Sequence, residues 1–171
     1  MPKSKPLPPL AALQEFLSYD PATGLFTWVQ NCGRGRKSST AGVVQSHGYV
    51  SIVLKGQRYQ AHRLAWLYLT DKDPGSFQVD HIDRDKSNNK ASNLRLATQA
   101  QNSWNQQAQG WTKTKDGRYQ AAIRVDGKPI HIGRYTTVEE ARTAYIEACV
   151  KFHGEWTPLC YKREVSPTTN D

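Results

Sequence analysis

Residues 79–105 read VDHIDRDKSNNKASNLRLATQAQNSWN, and the fold turns on this stretch. Residues 77–81 read as a short strand entering it. Residues 82–93 are too polar to bury themselves and read as a long loop. Leu94-Arg95-Leu96-Ala97 can pair back as a second strand. Thr98 and Gln101 have the spacing of a capping box, so a helix opens there. The expected order is strand, long loop, strand, helix.

No other part of the chain concentrates metal-binding and proton-transfer groups so densely. Hydrolysis of a phosphodiester needs a base for water, a cation for charge on the leaving oxygen, and a scaffold for both. Adjacent strand residues point to opposite sides, so Asp80 and His81 cannot share one task. One natural division assigns Asp80 to a metal ion and His81 to the water. Asn102 falls one turn into the helix, where its amide oxygen could meet the same ion. An Asp and an Asn offer hard oxygen ligands with open positions. Such a set suits Mg²⁺, or Mn²⁺ in its place, better than a closed zinc cage. The competing reading makes Asp83, Asp85, Asn88 and Asn89 no more than a solvated turn.

Upstream, residues 1–6 read as a loose tail and residues 8–17 as a short helix, with Leu10, Leu13, Phe16 and Leu17 on one face. Residues 20–24 are turn chemistry, 25–29 a strand, and 31–40 a Gly, Ser and basic loop. Residues 41–45 and 49–54 read as strands joined by a turn at 46–48. Residues 58–61 extend before Leu64, Ala65, Leu67 and Tyr68 recur at helical spacing.

Downstream, residues 106–110 form a polar linker and a domain boundary. Beyond it, 111–114, 118–125 and 128–135 read as three strands, with Lys115-Asp116-Gly117 and Asp126-Gly127 as hairpin turns. Residues 138–152 read as a helix with Ala141, Ala144, Tyr145, Ala148 and Phe152 on one stripe, stopped by His153-Gly154. The tail after Tyr161 reads as disordered.

The chain has 171 residues, 37% of them apolar, and a net charge of +8. That balance suits small cores on a polar surface and a polyanionic partner, nucleic acid first. The charge is local: residues 30–70 hold no acid, yet contain Arg34, Arg36, Lys37, Lys55, Arg58 and Arg63. Cys32, Cys149 and Cys160 are odd in number and form no Cys-x-x-Cys, so reduced thiols in a cytoplasmic protein are expected. No apolar run approaches the ~20 residues that cross a bilayer, and the N-terminus makes a poor signal peptide.

The segments AHRLAW (61–66), VDHIDRDKSNN (79–89), ASNLRLAT (91–98) and Gln101-Asn102 together resemble the HNH nuclease family. They look most like its phage and intron-encoded homing endonuclease branch, over residues 41–105. The resemblance implies an α+β fold with a ββα-metal HNH module, here preceded by N-terminal hairpins. It implies a metal-dependent DNA endonuclease with Asp80 as metal ligand and His81 as general base. Asn93 would tether the long loop, and Asn102 would be the second ligand. Asn102 stands where the family's last His falls. That departure weakens the case for Zn²⁺ or Ni²⁺ and favours Mg²⁺. His62, in AHRLAW, is expected to bond the hairpin loop rather than act catalytically. Arg95 is open between the DNA backbone and an acidic partner.

Residues 111–156 resemble the DNA-binding domain of plant apetala and ethylene-response factors, a three-stranded antiparallel sheet packed on one helix. Gly133, Tyr135, Glu140, Ala141, Ala144, Tyr145 and His153-Gly154 carry that likeness. With the apolar sheet face covered, Arg118, Gln120 and Arg124, and with them Lys113, Lys128 and Arg134, are expected to face DNA. Trp111 is assigned to DNA rather than to the helix. From the basic stretch, Arg34, Arg36, Lys37 and Arg63 are also expected to contact DNA. The family's base-reading residues are not cleanly reproduced, so no target sequence carries over.

The expected organisation is an N-terminal helix and basic loop (1–40), a nuclease module (41–107), a DNA-binding domain (110–157) and a tail (158–171). Double-stranded DNA is the expected partner, cut as a nick by a monomer with no obligate protein partner, inside a phage-infected bacterium. The rival is a DNA-binding regulator with an inactive nuclease module. RNA binding has only charge behind it.

Overall fold

A computed structural model describes residues 6–34, 36–106 and 108–158. The tail beyond 158, Cys160 and residues 1–5 lie outside the described residues. The fold is α+β, built from small antiparallel sheets and helices. Described residues up to Thr98 form one compact unit, and those from Gln99 onward form a second.

The first unit opens with helix α1 (Leu10–Gln14) and a sheet of β1 (Leu17–Asp20), β2 (Leu25–Trp28) and β3 (Thr40–Ala41) in that order. The helix is shorter than the 8–17 expected, because Leu17 already pairs with Trp28 in the β1–β2 hairpin. Asp20 makes the turn: its carboxylate accepts from Ala22 N at 2.9 Å and Thr23 Oγ1 at 2.7 Å. The expected strand over 41–45 is broken at Gly42, whose φ is +111. A Cβ there would lie 2.7 Å from a Val50 side-chain carbon, so the chain leaves one sheet at this point and enters another. The second sheet is β4 (Val43–Val44), β5 (Val50–Leu54) and β6 (Gln57–Gln60).

Helix α2 (Ala61–Thr70) begins three residues before the apolar periodicity does and ends on Asp71 in the left-handed region. A two-stranded sheet of β7 (Gln78–His81) and β8 (Leu94–Ala97) completes the unit. The core joins α1, β1, β2, β5, α2 and β7 through Leu13, Leu17, Phe26, Ile52, Leu64 and Val79. Burial of such side chains stabilises by about 2 kcal/mol each.

The second unit begins with α3 (Gln99–Trp104). The linker at 106–110 therefore falls inside this unit, after its first helix. Strands β9 (Trp111–Lys113), β10 (Tyr119–Val125) and β11 (Lys128–Tyr135) form an antiparallel sheet in the order β11-β10-β9. Helix α4 (Val138–His153) packs on it, followed by a 3-10 turn, Gly154–Trp156. Thr137 caps α4 reciprocally with Glu140, which satisfies two helix-end donors. Ile123, Tyr145, Ile146, Ala148 and Cys149 form the core. Phe152, expected on the buried stripe, is 40% exposed. His153 is buried in its place, held to Arg124 O.

The sheet register sorts the side chains. Gln120 sits opposite Thr112 on one side and Arg134 on the other, all facing away from the helix with Arg118 and Arg124. Trp111 is opposite Ala121, Lys113 opposite Tyr119, and Lys128 opposite Val125. These three therefore lie on the helix-side face, not on the outward face expected for them. Trp111 meets Tyr119 edge-on at 5.3 Å, and Lys113 Nζ lies 5.9 Å from the Tyr119 ring centre. The reason is the length of the loop at 114–118, which sets the register and with it which residues alternate outward.

Candidate active site

The antiparallel pairing of β7 and β8 puts Asp80 opposite Arg95 and His81 opposite Leu94. Both members of the Asp-His pair are buried, at 6% and 3% exposure. Alternation along β7 turns them to opposite sides. On one side Arg95 Nε donates to Asp80 Oδ2 at 2.9 Å. Of the two roles open to Arg95, the structure realises the acidic partner. Arg63 likewise pairs with Asp73 at 3.1 Å, its side chain 15% exposed.

On the other side His81 enters a cluster of rings. His62 meets it edge-on at 5.2 Å and Tyr49 lies at 5.9 Å. His81 Nε2 is 3.2 Å from Asn89 Oδ1. Asn89 Nδ2 donates to Ser87 O at 3.1 Å, so the amide oxygen is the atom presented to the ring. Nε2 must then carry the proton, and the lone pair sits on Nδ1. Burial holds His81 below the ordinary histidine range, against the smaller opposing pull of Asn89, Asp80, Asp83 and Asp85. Its imidazole is therefore neutral at neutral pH, the form a general base requires.

His62 lies in the first turn of α2. Burial, then the neighbouring His81 and Arg63, pushes it down to about 3. Its Nδ1 is buried with no hydrogen-bond partner. The expected bond to the hairpin loop is replaced by ring contacts to Tyr49 and His81.

The loop between the strands is a hydrogen-bonded scaffold rather than a solvated turn. Asn93 is its centre: Nδ2 donates to Asp83 Oδ1 and to Asn88 O, both at 2.8 Å, and Oδ1 accepts from Asp83 N at 3.0 Å. Asn88 Nδ2 donates to Asp83 Oδ2 at 2.6 Å, and Asp85 accepts from Ser87. Asn89 and Asn93 are both buried. Sequence reasoning did not single out Asn89 as the partner of His81. The signal was the doubled asparagine, in which only burial distinguishes one from the other. Tyr49 gave no signal at all.

Asn102 lies on α3, in the second unit. Two residues on, the Trp104 indole stacks on His153 with ring centres 4.7 Å apart and planes 5° from parallel. Among the described residues no group of three or more His, Cys, Asp or Glu converges. That set does not make a zinc cage. The buried Asp80 carboxylate instead offers a hard oxygen of the kind taken by a divalent ion that keeps water ligands.

The basic stretch forms a cleft in the first unit, where Arg34, Lys55 and Arg58 surround Trp28, Val43 and Val53. Arg36 and Lys37 are exposed in the same loop. In the second unit Arg118, Arg124 and Arg134 are exposed and Gln120 is half-buried.

Residues 59–104 match the family model described as HNH endonuclease. That span holds His62, Asp80, His81, Asn93 and Asn102. The chain is 36% identical over 104 residues to "Uncharacterized HNH endonuclease L560" of Acanthamoeba polyphaga mimivirus, a match covering 58% of this chain and 56% of that protein. It is 36% identical over 76 residues to the DNA endonuclease I-HmuI of Bacillus phage SP01, covering 44% and 43%. The chain spans about half the length of the curated relatives it matches. Among solved structures it is similar to one titled "DNA binding and cleavage by the HNH homing endonuclease I-HmuI", at 22% identity and a TM-score of 0.44, covering 80% of this chain and 76% of that one.

Proposed function

We propose, from the match of residues 59–104 to the HNH endonuclease family, that this chain is a divalent-metal-dependent DNA endonuclease. The observation that carries the reading is His81: buried, neutral, and held by Asn89 with its lone pair on Nδ1. His81 takes a proton from water, and the water attacks phosphorus in line. By the family likeness, Asp80 would hold the cation and Asn102 would be its second ligand, with Mg²⁺ in preference to Mn²⁺. When bound, that ion supplies positive charge for the leaving 3′ oxygen. Asn93 keeps the loop closed under His81 through its three hydrogen bonds. Products with 5′-phosphate and 3′-hydroxyl ends follow from this scheme.

The second unit supplies the address. Arg118, Gln120, Arg124 and Arg134 share one sheet face, a basic surface suited to phosphate and base-edge contacts. The same order of three strands and a helix underlies the likeness to apetala and ethylene-response factors. Linkage raises the local concentration of the cleavage residues at a bound site. Arg34, Arg36 and Lys37 add sequence-independent contacts. One active site per chain favours a nick by a monomer.

A supercoiled-plasmid assay tests the reading. Nicked circles should accumulate with Mg²⁺ or Mn²⁺ and not with EDTA. Binding without nicking in either ion would favour the rival, a DNA-binding regulator with an inactive nuclease module.

A further inference from the structure

Three contacts from one short hairpin converge on one short piece of the loop. Tyr19 OH donates to Asn89 O at 2.7 Å. Pro21 O accepts from Ala91 N at 3.0 Å. Gly24, at φ +75, passes so close that a Cβ would lie 2.5 Å from both Asn89 C and Lys90 N. The donor and the loop are seventy positions apart in sequence.

The hairpin is rigid where it makes these contacts. The Tyr19 ring packs at 4.9 Å from Phe26 and 5.8 Å from Tyr68. Tyr68 OH is bonded to Leu17 O, at the far end of β1 from the loop. Asp20 holds the turn through Ala22 and Thr23, and Gly24 N closes on Asp20 O at 2.8 Å. Burial, then Asp20, pushes the Tyr19 phenol up to about 12, so it remains a donor under any assay condition.

Asn89 is thus held from two ends. Its backbone is clamped by the hairpin, and its side chain is clamped to Ser87 O and His81 Nε2. We propose that the β1–β2 hairpin is a brace for the active-site loop, and that Tyr19 is a positioning residue that sets Asn89 and through it the tautomer and orientation of His81. The part of this that concerns cleavage rests on the endonuclease reading; the brace itself does not.

Tyr19→Phe is the test, because it removes one hydroxyl and keeps the packed ring. Two quantities are read on the full chain: the ring-nitrogen NMR signature of His81, without metal or DNA, and kcat against KM for nicking. The expected result is a parent-like melting temperature and KM. The His81 signal shifts from one tautomer toward a mixture, and kcat falls by about tenfold to a hundredfold, as for other groups that orient a reacting residue. Tyr68→Phe loses a hydroxyl from the same ring cluster but not from the loop, and should leave the His81 signature at the parent's. Gly24→Ala attacks the same contact from the backbone and should shift the signature as Tyr19→Phe does. A parent-like His81 signature in Tyr19→Phe overturns the proposal, as does an equal shift in Tyr68→Phe. If the parent itself fails to nick DNA, the endonuclease reading falls, while the NMR comparison still decides the brace.

Discussion

Arg95 Nε donates to Asp80 Oδ2 at 2.9 Å across the β7–β8 pair, so the carboxylate assigned to the metal already has a cation beside it. Both side chains are largely buried, at 16% and 7% exposure. Removing one partner of such a pair leaves an uncompensated buried charge. Arg95→Ala should cost on the order of 3 kcal/mol in a denaturant melt run in EDTA. Mg²⁺ should restore part of that loss, because a cation at Asp80 replaces the missing charge. A variant as stable as the parent in EDTA would sink this account.

His81→Ala should lower the nicking rate by about 10² to 10⁴, the usual contribution of a positioned base. DNA affinity in a gel shift should stay near the parent's. If the purified variant cuts as fast as the parent, His81 is not the base.

His62 and His81 make stability depend on acid. Burial lowers both, His62 from the ordinary histidine value of 6.5 to about 3. The unfolded chain therefore binds protons that the folded chain refuses. The stabilising effect is complete above about pH 6.5 and is lost as pH falls through the window toward 3. Each such histidine contributes a slope of about 1.4 kcal/mol per pH unit inside the window. His62→Leu should flatten the acid limb of a stability–pH curve, measured by urea melts from pH 7 to pH 4. An unchanged slope would show that His62 is not protected in the folded state.

Gly110 has φ +75, and a Cβ there would lie 2.1 Å from the Tyr145 ring. Gly127 has φ +77 and open space around it. Gly127→Ala should cost about 1 kcal/mol of backbone strain alone. Gly110→Ala adds overpacking of about 1–3 kcal/mol in a small core. Equal melting temperatures for the two variants would mean that Tyr145 yields without cost.

The two faces of the C-terminal sheet should separate in salt titrations of DNA binding. Arg124→Ala should reduce the slope of log K against log salt by about one, the signature of a lost phosphate contact. Lys113→Ala, on the helix-side face, should leave the slope alone. A reversed order would put DNA on the other face.

Much of this architecture is written locally. The Asp126-Gly127 turn and the apolar alternation of 119–125 specify β10 and β11 within a residue or so of where they lie. The same holds for β8, bounded by a polar loop and a helix start. What was misread was register and crowding. Strand β1 hides in an apolar run that also suits a helix, and only its pairing with β2 decides between them. Trp111 carries no mark of its face, because a shift of one residue in pairing would turn it over.

The candidate site divides in the same way. Asp80, His81, Asn93 and Asn102 are legible as residue types, since metal and proton chemistry selects few side chains and their spacing is short. Their condition is not. That His81 is neutral and of one tautomer, that Arg95 takes Asp80, and that Asn89 rather than Asn88 faces the imidazole all depend on burial and on partners brought by other elements. By itself the sequence determined which groups are present and the order of strand, loop, strand and helix that carries them. Only the tertiary structure decided that a tyrosine seventy positions away grips the loop that carries the Asn89 partner of His81. Periodicity and turn chemistry act over a few residues, whereas that contact exists because two separately encoded hairpins share one core.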